Sequence, residues 1–311
     1  MIRTFGWRDF PILYRYRKQG VSLNNVLKAT RAPGLIPTVL ISCLSPSMGL
    51  HTWIESSNEE SPALIGQFSL SKSSAQVAYL NFLTPAQALE SPQASKLLMQ
   101  LAKQAGKCSA FHLLADCEVD TPSFHCLKQA RFSVAAYQRI WQWNHVLPPT
   151  SEQNPWQRTR PLDVIPAERL YQNVVPKNVI QLEPMHKKPL CGLVYYQDRD
   201  VWGYAQIKYG HSGIWTQVHL HPDADDVENL LLNLFHAIPE RQARPLYVCV
   251  RAYQGGLEPA LEALKWVPSP KQALMVKHLV AHHKVRQDFK IATFNGQPEA
   301  PMPLSKSKFK S

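Results

Sequence analysis

The sequence predicts an α/β protein with a mixed sheet, built as two tandem domains, each a mostly antiparallel sheet flanked by helices. Three observations predict it. Residues 216–266 run as an apolar alternating segment, TQVHLHP, a helical segment, DADDVENLLLNLFHAIP, a second apolar run, PLYVCVRAY, and a second helical segment, GGLEPALEALKW. Strands carry a period of two and helices one near 3.6, so the order is strand, helix, strand, helix. The same order occurs upstream in AYLNFLTP, SPQASKLLMQLAKQAG, SAFHLLADC and TPSFHCLKQARF, with Leu127 and Leu261 at matching positions. A repeat of this kind marks an internal duplication. The chain has 311 residues, and at roughly 100–200 residues per domain that length suits two cores.

Taken in order, residues 2–5 read as a short edge strand, and 7–18 and 23–29 as helices separated at Gly20. Residues 34–44 are β-branched and apolar and carry Pro37, which suits an edge or bulged segment leading into the sheet. Residues 51–62 are polar and acidic; LIGQFSLS and QVAYLNFL then form a hairpin. Ser91 and Pro92 open a helix that Gly106 ends, and a strand (110–115), a helix (122–130) and a strand (134–143) complete the first domain. The stretch HVLPPTSEQNPWQRTR combines prolines with polar residues and no periodicity. The expected layout is an N-terminal domain at 1–146, a linker at 147–159, a C-terminal domain at 160–283 and a disordered basic tail at 284–311. In the second domain a short helix at 167–171 precedes a meander of three strands (191–196, 202–209, 215–221). A helix ended by Pro239, a strand (246–252), a helix opened by Gly255 and Gly256, and a last strand (273–281) follow.

Composition excludes several classes. No apolar run approaches the roughly 18 residues that a membrane span needs, and the charged N-terminus lacks a cleavable secretion pattern. The six cysteines form no CxxC pair and sit mostly in apolar runs, which predicts reduced thiols in the cytoplasm. The net charge of +11 is concentrated in the tail and between Arg3 and Lys18, a weak case for nucleic-acid binding. G-x-S-x-G, G-x-x-x-x-G-K and G-x-G-x-x-G motifs are absent, which removes the hydrolase, kinase and dehydrogenase readings. His219 and His221 alternate along a strand near His211 and Asp223, yet zinc sites declare three or four ligands and no such set is fixed; His282 and His283 read as a solvated terminus. The rings of Tyr137, Trp141, Trp143 and Trp156 are expected to pack in the core or between the domains.

Antiparallel strands followed by strand–helix–strand–helix–strand, twice, resemble the GNAT superfamily of N-acyltransferases, duplicated in tandem and degenerate. The closing segments CLKQARFSVAAYQRIWQW and ALEALKWVPSPKQALMVKHL are similar to the family's helix, Gly-Phe pair and final strand. The resemblance implies acetyl-CoA as cofactor. Its pantetheine would pair with the strand edge at Tyr79, Asn81 and Leu83, and its pyrophosphate would sit at the helix start near Ser91, Gln93 and Ser95. The family's glycine-rich basic loop is missing from PAQALESPQAS, and Asp223, Asp225, Asp226 and Glu228 crowd the equivalent start in the second copy, where they repel an anion. The family's acid tyrosine falls on Leu127 and Leu261, and the Gly-Phe pair is Arg131-Phe132 and Lys265-Trp266, so no catalytic residue carries over; Cys126 and Tyr253 are alternatives that packing explains as well. Two functions follow. One is acetyl-CoA-dependent N-acetylation of a small-molecule or peptide amine through the N-terminal domain. The other is a non-catalytic ligand-binding or scaffolding protein that keeps the fold. No membrane partner is expected, nucleic acid less so than a small molecule, and the oligomeric state is not determined by the sequence.

Overall fold

The computed structural model describes residues 1–31, 35–44, 49–55, 62–71, 76–143, 154–185, 190–239 and 244–279. The first half contains β1 (Ile2–Thr4), α1 (Phe10–Tyr16), β2 (Val21–Ser22), α2 (Asn25–Thr30), α3 (Leu35–Leu44), β3 (Leu50–Glu55), β4 (Leu64–Leu70) and β5 (Val77–Thr84). It continues through α4 (Pro92–Lys107), β6 (His112–Glu118), α5 (Pro122–Gln129) and β7 (Ser133–Trp143). The second half contains β8 (Trp156–Arg158), α6 (Val164–Val174), α7 (Lys177–Leu182), β9 (Gly192–Gln197), β10 (Asp200–Tyr209) and β11 (Ile214–Leu220). Then come α8 (Val227–Ala237), β12 (Leu246–Arg251), α9 (Leu257–Ala263), β13 (Val267–Pro268) and β14 (Gln272–His278).

Of the run at 34–44, expected to lead into the sheet as an edge or bulged segment, Leu35–Leu44 form helix α3 instead. Pro37 lies in its first turn, where its missing N–H leaves no helical bond unmade, and Val39 packs against Ile54, Ile65 and Phe82. The polar and acidic stretch from residue 51 begins in strand β3, whose Thr52, Ile54 and Glu55 are buried. Of the linker expected at 147–159, residues up to 153 lie outside the described residues, and its end forms β8, paired with β9. The tail at 284–311, with His282 and His283, also lies outside them.

Helices α4 and α5 cover one face of the first half. Leu64 and Leu83 join that cluster, while their sequence neighbours Ile65 and Phe82 join the cluster under α1 and α3 on the other face. Period-two alternation thus fills two layers from one strand. The second half repeats the plan, with α8 and α9 on one face and α6 on the other. The duplication extends to hydrogen bonds: Phe132 N–H donates to the Leu127 carbonyl and Trp266 N–H to that of Leu261, both at 3.0 Å. Arg131 and Lys265 stand where the resemblance places glycine, and both adopt left-handed backbone with φ of 62° and 61°. Each helix therefore ends in the turn that glycine usually makes, at a cost of about 1–2 kcal/mol for a side chain there.

The two sheets are joined. Among the described residues the strands form one fourteen-stranded sheet, in which β14, the last strand of the second half, lies between β6 and β7 of the first. In return β7 pairs with β12 and β13 of the second half. Each half donates its closing strand to the other's sheet. Ala273 and Met275 of β14 are buried in the first core, and Trp141 of β7 is buried in the second, beside Trp156, Trp266 and partly buried Trp143. Tyr137, the remaining ring of the aromatic set, is half-exposed beneath the Lys271 ammonium at 4.3 Å. The halves also meet at the β10–β11 turn, where Ser212 N–H donates to the Thr30 carbonyl. A Cβ on Gly210 would lie 2.1 Å from that carbonyl oxygen, so only glycine permits the approach.

This exchange makes the halves one cooperative unit. Met275→Ala, in a strand that the chain order assigns to the second half, is expected to cost about 2–5 kcal/mol and to shift one shared urea transition monitored by fluorescence and circular dichroism. Two separate transitions, with only one of them moved, would contradict the exchange.

Candidate ligand site at the junction of the halves

The parallel pair β5–β6 holds register from Val77–His112 to Tyr79–Leu114 and then diverges. A wedge between parallel strands leaves backbone donors and acceptors that need partners. In the first half the chain supplies them itself. Leu23 N–H donates to the Asn81 carbonyl at 2.9 Å, Asp116 N–H donates to the Leu23 carbonyl at 2.8 Å, and β2 pairs with Phe82 and Leu83 of β5. Leu23 is 1% exposed, so the bridge is sealed into the core.

The second wedge is bridged differently. Strands β11 and β12 hold register to Gln217–Cys249. Beyond that point the buried Gln254 side chain accepts from Arg251 N–H and donates to the Val218 carbonyl, a side-chain amide standing in for a peptide.

Of the residues expected to hold a thioester cofactor, Asn81, Leu83 and Ser91 are bonded within the chain. Leu83 is buried in the first core, its backbone paired with Val21. Asn81 is buried in a side-chain network: it accepts from Ser69 and Asn24 and donates to Gln67. Tyr79 ends the β5–β6 pairing and lines the cavity described below. Residues 86–88 coil into a tight turn, and several N–H groups from there to Ser91 are already bonded. Ala86 N–H donates to Gln19, Ala88 N–H to Pro85, Leu89 N–H to Ala86, and Ser91 donates to the Ala88 carbonyl through both N–H and hydroxyl. Gln93 and Ser95 are half-buried in the first turn of α4. In the second half Asp226 caps α8, accepting from Asn229 N–H, so its carboxylate occupies the place a phosphate would take.

Between the halves lies a cavity of about 270 Å³. From the first half, α2 contributes Val26 and Leu27, β4 contributes Ser69 and Leu70, β5 contributes Tyr79 and Asn81, and β6 contributes Asp116. From the second half come Glu183 after α7, Lys208 of β10, Trp215 and Gln217 of β11, and Arg251 of β12; Gln138 of β7 completes the lining. Arg31 and Leu50 also border it. A smaller recess of about 50 Å³ shares Tyr79, Glu183 and Lys208 and continues to Tyr171, Tyr204 and His219.

The charges here are unusual for a sheet interior. Arg251, 3% exposed, pairs with Glu183 but leaves Nε and Nη1 without acceptors. Its guanidinium is held charged: burial opposes the charge, but Glu183 leads the neighbours that raise its pKa above the usual arginine value. Asp116 accepts from Asn25 N–H at 3.0 Å and from Gln138 at 2.9 Å. Burial outweighs these bonds and the Arg251 charge and lifts its pKa above the usual carboxylate range. Burial likewise lowers the Lys208 pKa, a loss that Glu183 partly offsets. The Tyr79 and Tyr171 hydroxyls are pushed up, chiefly by burial. His219 is stacked against Tyr204 and edge-on to Tyr171, and its Nδ1 has no partner; burial, then Arg251, depresses it to about 3. His221 faces Trp202 and Asp223 instead, and among the described residues no group of three metal-ligating side chains forms. Cys126 is core, and burial lifts its thiol to about 11. Tyr253 is raised too, mainly by burial, and its hydroxyl has no partner.

The fold is the one seen in solved GNAT acetyltransferase structures, a tandem one among them. The chain has 12% identity and a TM-score of 0.56 to a GCN5-related N-acetyltransferase from Sphaerobacter thermophilus, covering 89% of this chain and 95% of that one. It is also similar to a tandem GNAT protein from the clavulanic acid biosynthesis pathway, at 13% identity and a TM-score of 0.51, over 89% of this chain and 98% of that one. No family model matches the chain, and no curated protein matches it in sequence. Among the described residues no helix is long and apolar enough to cross a membrane.

His219 gives this site a pH signature. Its pKa is lower in the fold than in the unfolded chain, so the stability it allows is complete above pH 6.5 and falls as the pH drops toward 3, by about 1.4 kcal/mol per unit. Chemical denaturation between pH 7 and 4 should show this slope, and His219→Phe should flatten it. An unchanged slope in the variant would mean that His219 is protonated in the fold.

Proposed function

We propose that this chain is a non-catalytic ligand-binding protein that keeps the tandem acyltransferase fold, with the cavity between its halves as the ligand site. The single observation that carries this reading is that both strand wedges are bridged by the chain, one by the backbone of Leu23 and the other by the side chain of Gln254. A pantetheine pairs with a strand edge through its own amides. Here Asn81 and Leu83 have already spent that edge on residues 21–23.

The residues present do not fit acetyl-CoA. Its pyrophosphate would need free N–H groups and positive charge, whereas the N–H groups of Ala86, Ala88, Leu89, Ser91 and Ala94 are already bonded and Asp226 caps the second helix start. N-acetylation of an amine through the N-terminal half would require residues 21–23 to leave the wedge. The similarity to acetyltransferase structures, at this identity, speaks for the fold alone. The six unpaired cysteines suit a reducing compartment such as the cytoplasm.

Calorimetric titration of the full chain with acetyl-CoA and with coenzyme A tests the reading. The expected result is no saturable heat and no thermal shift at millimolar ligand; saturable binding at one or two sites per chain would overturn it.

A further inference from the structure

We propose that the junction cavity binds a small organic acid, an apolar body carrying one carboxylate, with the Lys208 ammonium as its counter-ion. The inference rests on the cavity being the ligand site and names what that site selects.

Among the described residues lining the cavity, Lys208 is a cation held by no carboxylate. Asp116 already accepts from Asn25 and Gln138, and Glu183 is joined to Arg251. Lys208 borders both the main cavity and its recess. Among the described residues its ammonium has no hydrogen-bond or ion-pair partner, only the longer-range fields of Glu183, Asp116 and Arg251. Lys208 is only partly buried and keeps its ammonium on the cavity side, where an incoming carboxylate would supply opposite charge and acceptors together.

The wider field favours an anion. Arg251 stands behind the same lining with two of its three guanidinium nitrogens unpartnered. Arg31 adds a further positive charge at the exposed border. Three cations therefore face two carboxylates, and burial biases one of those, Asp116, toward its neutral form. A cationic ligand would meet Lys208 and Arg251 with no free carboxylate to receive it.

The apolar part of the lining specifies the rest of the ligand. Leu27, Leu70 and Trp215 offer a wall for a hydrocarbon or aromatic body. At about 270 Å³ the space falls at the small end of ligand pockets. An apolar body is drawn in by burial of its surface; the charged end fixes its orientation.

The test is a matched series on the full-length protein: butyrate, hexanoate, octanoate, benzoate and phenylacetate, each titrated by calorimetry beside its own uncharged amide. We expect at least one acid to bind at one site per chain and about tenfold or more tighter than its amide. Lys208→Met should bring acid and amide together, and Lys208→Arg should keep most of the difference. Acids and amides binding alike, or no acid binding at all, would overturn the inference. The comparison on the unaltered protein needs no variant to fold. Acetyl-CoA binding would overturn the preceding section's reading and leave this comparison standing, so the two failures are distinguishable.

Discussion

Two adjacent parallel strands that splay apart leave peptide groups facing an apolar interior, and each such group must find a partner. This constraint organises the protein. An acyltransferase leaves the gap for the amide-bearing arm of its cofactor, which satisfies the strand while it binds. Here the chain satisfies both gaps itself, and the solutions differ. Leu23 inserts as a third strand residue between Asn81 and Asp116, whereas Gln254 folds back so that its side-chain amide spans Val218 and Arg251. The two halves of a duplicated scaffold thus close their wedges with different groups.

The closures also shape what lies beside them. Leu23 leads directly into α2, whose first N–H, on Asn25, reaches the Asp116 carboxylate. That helix forms one wall of the junction cavity, and its end docks on the Gly210–Gly213 turn of the other half. Gln254 holds Arg251 at the end of β12, where the guanidinium meets Glu183. The bridging of each wedge therefore positions a charged residue at the cavity. The exchange of β7 and β14 keeps the two walls in fixed relation, because neither half can move without breaking main-chain pairing in a continuous sheet.

Much of the fold was legible in the sequence, because the repeat carries its hydrophobic periods twice. The helix and strand faces follow from local pattern, and the paired closing turns at Arg131 and Lys265 follow from the family resemblance. The exchange of closing strands was not legible: QALMVKH has the same alternation whichever half it joins, and pairing partners are a tertiary choice. The α3 segment was misread because β-branched residues in a short apolar run suit either state until packing decides. For the site, the sequence marked Tyr79 and Asn81, which do border the cavity, but for a cofactor edge that residues 21–23 occupy. Asp116 and Arg251 were missed, although a charge inside an apolar strand such as LLADC or YVCVRAY is itself a signal, since such residues are seldom buried without a partner. Leu23 and Gln254 gave no signal at all. A leucine after a glycine-led turn and a glutamine before two glycines have no period to betray them.

The central claim is that residues 21–23 occupy the first wedge as part of the folded protein. Amide hydrogen exchange at Leu23 and Asp116, with and without millimolar acetyl-CoA, tests it most directly. Strong protection of both amides in the free protein, unchanged by acetyl-CoA, is the predicted result. Rapid exchange at these two positions in the free protein, or a change in their protection when acetyl-CoA is added, would contradict it.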